Sequence, residues 1–253
     1  PESMQVAPAV VNATLSSFGV QPYSYLLHVG VLERRKNLVT LVEAFALWRQ
    51  RGGSRSFKLV LVGQPGPRPD LDDSAAIHEA IARNRLGSSV VLTGHLSIEE
   101  RNAFYTHAAA VVIPSVLEGF GIPVLETFAA HVPLICSDAT ALPEVAGNAA
   151  LLFNPQNAQE LASCFARLGA DPGLRAALVR AGDERLRLFT WKRTAQATYA
   201  AFEAAAMRAY GPAAALERPS TPQRPPMPHE RPTVGWPGPA GHERASAGSL
   251  AMR

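Results

Sequence analysis

From Tyr25 onward the chain alternates short apolar runs with longer amphipathic stretches. The apolar runs are Tyr25–Val29, Lys58–Val62, Val90–Leu92, Ala109–Pro114, Pro133–Ser137 and Ala150–Phe153. Each is short and apolar at successive positions, so each predicts a strand buried on both faces. Between the first two runs, Leu38, Leu41, Val42, Phe45 and Trp48 fall on one helical face, and Asn37 is placed to cap a helix reaching about Arg51. Asp73 or Ser74 starts a second helix, running to about Arg85 and closed by Gly87. Ser97-Ile98-Glu99-Glu100 is a capping box that opens a third. Pro123 suits the first turn of a fourth, and helical stretches at about 157–169, 172–188 and 191–209 close the pattern.

Strands covered on both faces and mostly separated by helices predict an α/β domain with a single Rossmann-like, doubly wound parallel sheet. Its expected span is 24–210. In such a sheet, ligands bind beyond the carboxyl ends of the strands. Residues 1–23 read as a leading linker with a short helix or turn. From residue 212 on, nine prolines fall among 42 residues and apolar periodicity stops, which predicts a disordered Pro-rich tail over 211–253.

Composition narrows the function. Hydrophobic residues make up 47% of the 253, enough for a sizeable core. The net charge is +3, and the tail carries two of those charges. A nearly neutral domain gives no reason to expect a nucleic-acid partner. Cys136 and Cys164 lie in apolar surroundings and read as buried reduced thiols. No apolar run reaches the ~18 residues of a membrane span, and no signal peptide is visible. A chain that starts at Pro1 is expected to be a fragment of a longer protein.

Two clusters could carry chemistry, and both follow a predicted strand. The first is His28-Val29-Gly30 followed by Glu33-Arg34-Arg35-Lys36-Asn37. Gly30 lets the chain turn, and the basic residues then open a helix, where a phosphate would also meet backbone amides. The spacing is neither a Walker A loop nor a dinucleotide fingerprint. The second is Glu118-Gly119-Phe120-Gly121-Ile122-Pro123-Val124-Leu125-Glu126. It reads as a Gly-rich loop entering a helix, with Glu118 in the loop and Glu126 in the first helical turn. Free amides at a helix start attract anions. Two carboxylates flanking them make sense if the ligand also donates hydroxyls, as a sugar does. Paired carboxylates also suit glycoside hydrolysis, and Glu126 alone also suits the helix dipole. Zinc-ligand spacing is absent.

Gly30 to Lys36, Pro114-Ser115 leading into Glu118-Gly119-Phe120-Gly121-Ile122-Pro123 and Glu126, and Asp138 with Leu142-Pro143-Glu144-Val145 and Gly147 together resemble glycosyltransferase family 4 (group 1) over about residues 24–208. The resemblance implies the C-terminal, donor-binding half of a GT-B fold. It implies that Glu118 holds hydroxyls of the donor sugar and that Gly119, Phe120, Gly121 and Ile122 line the sugar and diphosphate. By the same resemblance Glu126 grips the ribose and Lys36 neutralises the diphosphate beside Gly30. The position after Gly30, an arginine in many members, is Val31 here, and resemblance to the branch with adjacent Arg-Lys implies that Arg35 supplies the second cation instead. Thr93, Gly94, His95 and Leu96 fall at the family's base pocket. The implied reaction is hexosyl transfer with retained anomeric configuration, without cofactor or bound metal.

Arg35-Lys36-Asn37 resembles the mannosyltransferase-like branch, which implies a GDP-mannose donor and a role in polysaccharide biosynthesis. The implied acceptor is a glycan or a lipid-linked precursor, read by an N-terminal domain missing from this chain. The expected location is cytoplasmic, with peripheral membrane association of the full-length protein. The chain alone is expected to be inactive. An isolated nucleotide-sugar-binding module, and a sugar-nucleotide epimerase or phosphorylase of related fold, remain open alternatives.

Overall fold

The computed structural model describes residues 4–66 and 68–210. The Pro-rich tail expected over 211–253 lies outside the described residues. Six strands form one sheet: β1 Tyr25–Val29, β2 Lys58–Val62, β3 Val90–Gly94, β4 Ala110–Ile113, β5 Leu134–Ser137 and β6 Ala150–Phe153. Their order is β3-β2-β1-β4-β5-β6, and every pairing is parallel. The α/β doubly wound sheet expected from the apolar runs is therefore present. β1 is central: the chain builds outward to β3, then returns to lay β4 on its other side. The winding reverses between β1 and β4, and in such sheets a crevice for ligands lies beyond the carboxyl ends at that point.

The helices are α1 Pro8–Ser17, α2 Leu38–Gln50, α3 Ser74–Arg83, α4 Ile98–Thr106, α5 Ile122–Ala129, α6 Leu142–Ala146, α7 Ala158–Ala170, α8 Pro172–Leu186 and α9 Trp191–Tyr210. Side-chain alternation along β1 sorts the core into two layers. Leu26 points to the layer with α2, α3 and α7, where Phe45, Ile77 and Phe165 are buried. Tyr25 and Leu27 point to the other layer, with Leu15 of α1, Phe104 of α4 and Phe128 of α5. Cys136 and Cys164 are free and buried, and burial pushes the Cys136 thiol up to about 12. The chain falls into two units, residues 1–196 and 197–253, and the second is described only over the last turns of α9.

Several local expectations need correction. Asn37 precedes α2 in a left-handed conformation and makes no side-chain cap. Its amide instead donates to the carbonyls of Pro114 (3.0 Å) and Pro155 (2.8 Å). Asp73 precedes α3 without capping it, and Asp72 accepts from the Ser74 amide and hydroxyl in its place. α3 stops at Arg83, and Arg85 rather than Gly87 takes the left-handed turn. α6 was not expected, because five residues are too few to show a helical period. The capping box at Ser97 is formed in full.

Candidate functional site

The site grows out of three loops at the carboxyl end of the sheet. The first leaves β1 at Gly30, whose N–H donates to Val62 on β2. Gly63 ends β2 against it. A Cβ at Gly63 would stand 1.8 Å from the Gly30 carbonyl oxygen, and its φ is +152°, so only glycine fits. The chain then makes one 3-10 turn, Arg34–Lys36, before α2. The second loop, 114–121, leaves β4, and the Val116 N–H donates to the Arg35 carbonyl, joining it to the first. The third follows β5 and supplies Thr140.

These loops bring Glu118, Lys36 and Arg35 together. Lys36 Nζ lies 2.6 Å from Glu118 Oε1, and Ser115 Oγ donates to the same oxygen at 2.8 Å. Arg35 donates through Nη1 to Glu118 Oε2 (3.4 Å) and through Nε to Glu33 (2.8 Å). The Glu118 N–H donates to Thr140 Oγ1. Burial alone would raise the Glu118 carboxyl. The hydrogen bonds from Lys36 and Ser115, with the charges of Lys36 and Arg35, hold it below its ordinary value.

Beside this pair lies His28, the last fully buried residue of β1. Its Nδ1 is 3.0 Å from the Val112 carbonyl, an acceptor only, so Nδ1 carries the proton. Burial brings its pKa down to about 4; the Val112 hydrogen bond opposes this, the Lys36 charge adds to it, and Glu118 opposes it. The ring is therefore neutral at neutral pH, and its other nitrogen has no partner among the described residues.

The Gly-rich loop itself is open. Among the described residues, the backbone N–H groups of Gly119, Phe120, Gly121 and Ile122 donate to no group of the chain. A Cβ at Gly119 would meet nothing within 4 Å. Gly121 precedes α5 at φ +95°, and a Cβ there would press on Leu142 of α6 at 2.9 Å. α6 thus supports the loop from behind. Phe120 packs edge-on against Phe189, while Val116, Leu117 and Ile122 are exposed.

Glu126 is the fifth residue of α5 and so lies in the second turn, not the first. That weakens the dipole explanation, since the effect fades beyond the first turn. Tyr105, fully buried on α4, donates to Glu126 Oε2 at 3.0 Å, and Arg101 lies 3.5 Å from Oε1. Thr93 and Gly94 end β3, and His95 and Leu96 follow it, at the same end of the sheet. The Gly94 carbonyl takes the Gly63 N–H and the Thr93 hydroxyl, which ties the end of β3 to the end of β2. Thr140, Tyr105 and Arg101 were not singled out from the sequence, and His28 and Ser115 were quoted there within motifs without a role of their own.

Chemically, this is an anion-ready loop that follows a carboxylate, Glu118, paired with two cations, and leads into a helix whose second carboxylate, Glu126, is held by Tyr105 and Arg101. Among the described residues, no group of three His, Cys, Asp or Glu could hold a metal ion. No described helix is long and apolar enough to cross a membrane.

A family model for glycosyl transferases group 1 matches residues 19–185. The O-antigen chain mannosyltransferase B of Escherichia coli is 27% identical over 197 residues, covering 78% of this chain and 50% of that protein. Among solved structures, a sucrose-phosphate synthase from Thermosynechococcus elongatus superposes with a TM-score of 0.66 at 29% identity, over 79% of this chain and 50% of that one. The C-terminal domain of the group 1 glycosyl transferase LpcC from Francisella tularensis superposes with a TM-score of 0.62 at 22% identity, which shows likeness of fold alone. That match covers 74% of this chain and 95% of the LpcC domain. The chain thus spans about half the length of the first two proteins.

Proposed function

We propose, since this chain belongs to the group 1 glycosyl transferases matched over residues 19–185, that it binds the nucleoside diphosphate sugar donor from which a hexosyl group is transferred. The observation that carries the reading is the pairing of Lys36 with Glu118 beside four unused amides. A diphosphate needs cations and N–H donors; a sugar needs acceptors for its hydroxyls. The crevice offers both within one cluster.

In this reading, Gly119, Phe120, Gly121 and Ile122 receive diphosphate oxygens and the near side of the sugar. Lys36 and Arg35 stabilise the charge that develops on the leaving diphosphate, with no divalent ion in the site. Removing one such group typically slows transfer by roughly a hundredfold or more. Glu118 accepts hydroxyls of the sugar. Glu126, held by Tyr105 and Arg101, accepts the ribose hydroxyls. Thr93, Gly94, His95 and Leu96 border the base. Gly30 leaves room for the donor beside Lys36.

Transfer proceeds with retained anomeric configuration. The name of the Escherichia coli relative, a mannosyltransferase, supports mannose as the sugar, and GDP-mannose is the corresponding donor. The acceptor, a glycan or a lipid-linked precursor, is read by the part of the relatives that this chain does not span. On this account the chain alone binds donor without transferring it, and the full-length protein works in the cytoplasm at the membrane surface.

Calorimetry with a panel of nucleoside diphosphates, their hexose conjugates and the matching nucleosides tests the reading. Binding of one diphosphate and its conjugate, much tighter than its nucleoside, is expected. No binding across the panel contradicts it.

A further inference from the structure

A histidine in the buried face of β1 is a costly choice unless both ring nitrogens have partners, because a buried acceptor without a donor loses its hydration for nothing. His28 is 1% exposed, and among the described residues only Nδ1 finds a partner. Since Nδ1 holds the proton, Nε2 presents a lone pair. It would repel a phosphate oxygen and accept from an N–H or a hydroxyl.

The absent side chain of Gly30 shows where that lone pair points. A Cβ at Gly30 would stand 3.2 Å from His28 Nε2, 3.4 Å from Lys36 Cε and 3.7 Å from Lys36 Nζ. The imidazole nitrogen and the ammonium therefore flank one space that any other residue at position 30 would fill. In the structure the ammonium is bonded to Glu118 Oε1 at 2.6 Å. That oxygen is also an acceptor that sugar hydroxyls would need.

We propose that His28 is a positioning residue for Lys36: once donor hydroxyls take over Glu118 Oε1, His28 Nε2 accepts an N–H of the Lys36 ammonium and steadies it over the diphosphate. The proposal rests on the donor-site reading above. It gives the buried acceptor a partner in the bound state. It also gives one lysine two uses, as a counter-ion for Glu118 and as a ligand for the diphosphate. An ammonium has three N–H groups, enough to reach the imidazole and a phosphate oxygen together.

The test measures the affinity of the tightest-binding nucleoside diphosphate hexose, and of its parent nucleoside, by calorimetry. The proteins are the wild-type chain, His28→Phe, His28→Gln, Lys36→Met and the His28→Phe/Lys36→Met double variant. His28→Phe is expected to weaken the diphosphate hexose about tenfold, the scale of one hydrogen bond to a charged group. Nucleoside affinity should be unchanged, and adding His28→Phe to Lys36→Met should cost nothing more. His28→Gln, which keeps an acceptor, should recover most of the loss. Equal losses with and without Lys36, or a parallel loss for the nucleoside, overturn the proposal. Should His28→Phe fail to fold, 15N NMR of the wild-type imidazole decides. The Nε2 resonance, assigned with His28→Gln, should move to a hydrogen-bonded position on adding the diphosphate hexose, and should not move in Lys36→Met. A resonance that stays put in the wild type overturns it. A wild-type chain that binds no member of the panel overturns the donor reading itself, whereas binding that is indifferent to His28 overturns only this proposal.

Discussion

Lys36 Nζ lies 2.6 Å from Glu118 Oε1, with only 8% and 9% of the two side chains exposed. These two residues come from different loops, one after β1 and one after β4, so the contact closes the crevice floor. Neither charge is well hydrated, and each is the other's principal compensation. Removing one partner of such a pair costs about 3 kcal/mol or more, whereas neutralising both costs much less. Lys36→Met is expected to lower unfolding free energy on that scale in urea titrations, and Lys36→Met/Glu118→Gln to recover most of it. Additive losses would show that the two side chains are independent.

Acid should weaken the fold in two stages. The folded chain keeps His28 neutral to about 4, while the unfolded chain protonates it near 6.5. The unfolded state therefore binds more protons between those values, and stability falls by about 3 kcal/mol as pH drops through that window. The Glu118 carboxyl is held below its ordinary 4.5, so its contribution is present above 4.5 and is lost as pH falls through the lower folded value. In pH-dependent urea denaturation, His28→Gln should flatten the upper stage, and Glu118→Gln should lessen the lower one. A wild-type profile level from 6.5 to 4.5 contradicts the first assignment.

Two glycines in one loop should behave oppositely. A Cβ at Gly119 meets nothing, so Gly119→Ala should keep the wild-type melting temperature; on the proposed donor reading, in which diphosphate oxygens approach this amide, it should bind the donor more weakly. Gly121 combines φ +95° with a 2.9 Å approach to Leu142, so Gly121→Ala should destabilise the fold by about 1–3 kcal/mol. Thermal unfolding and calorimetry on both variants check this. Full donor affinity in Gly119→Ala would show that the donor does not approach the Gly119 Cα.

Tyr105 holds Glu126 through one hydrogen bond. Tyr105→Phe keeps the ring and removes the hydroxyl. It should weaken nucleoside diphosphate binding about tenfold, the scale of one hydrogen bond to a charged group. It should also narrow the preference for a ribonucleotide over its 2′-deoxy counterpart. An unchanged ribose preference would detach Glu126 from the sugar edge of the nucleotide.

The sheet was legible because a strand covered on both faces has to be apolar throughout, and each run carries that pattern. Asn37 and Asp73 were misread because capping is a local rule: the Asn37 amide goes to Pro114 and Pro155, which only the fold brings near. Arg35, Lys36 and Glu118 could be singled out because each follows a strand end, and the β1–β4 adjacency then brings them together. The roles of His28, Ser115 and Tyr105 were hidden, since each looks like an ordinary strand, loop or core residue until its neighbour across the sheet or helix is known. Tyr105 spaced along α4 as a buried aromatic gave no sign that its hydroxyl meets a carboxylate on α5.

The central claim is that Lys36 leaves Glu118 to serve the donor's diphosphate. Calorimetry with the best-bound nucleoside diphosphate and its nucleoside, on wild type and Lys36→Met, tests it most directly. The account predicts a loss of about tenfold or more for the diphosphate, the scale of a hydrogen bond to a charged group, with nucleoside affinity unchanged. Equal diphosphate affinity in the two proteins would contradict it.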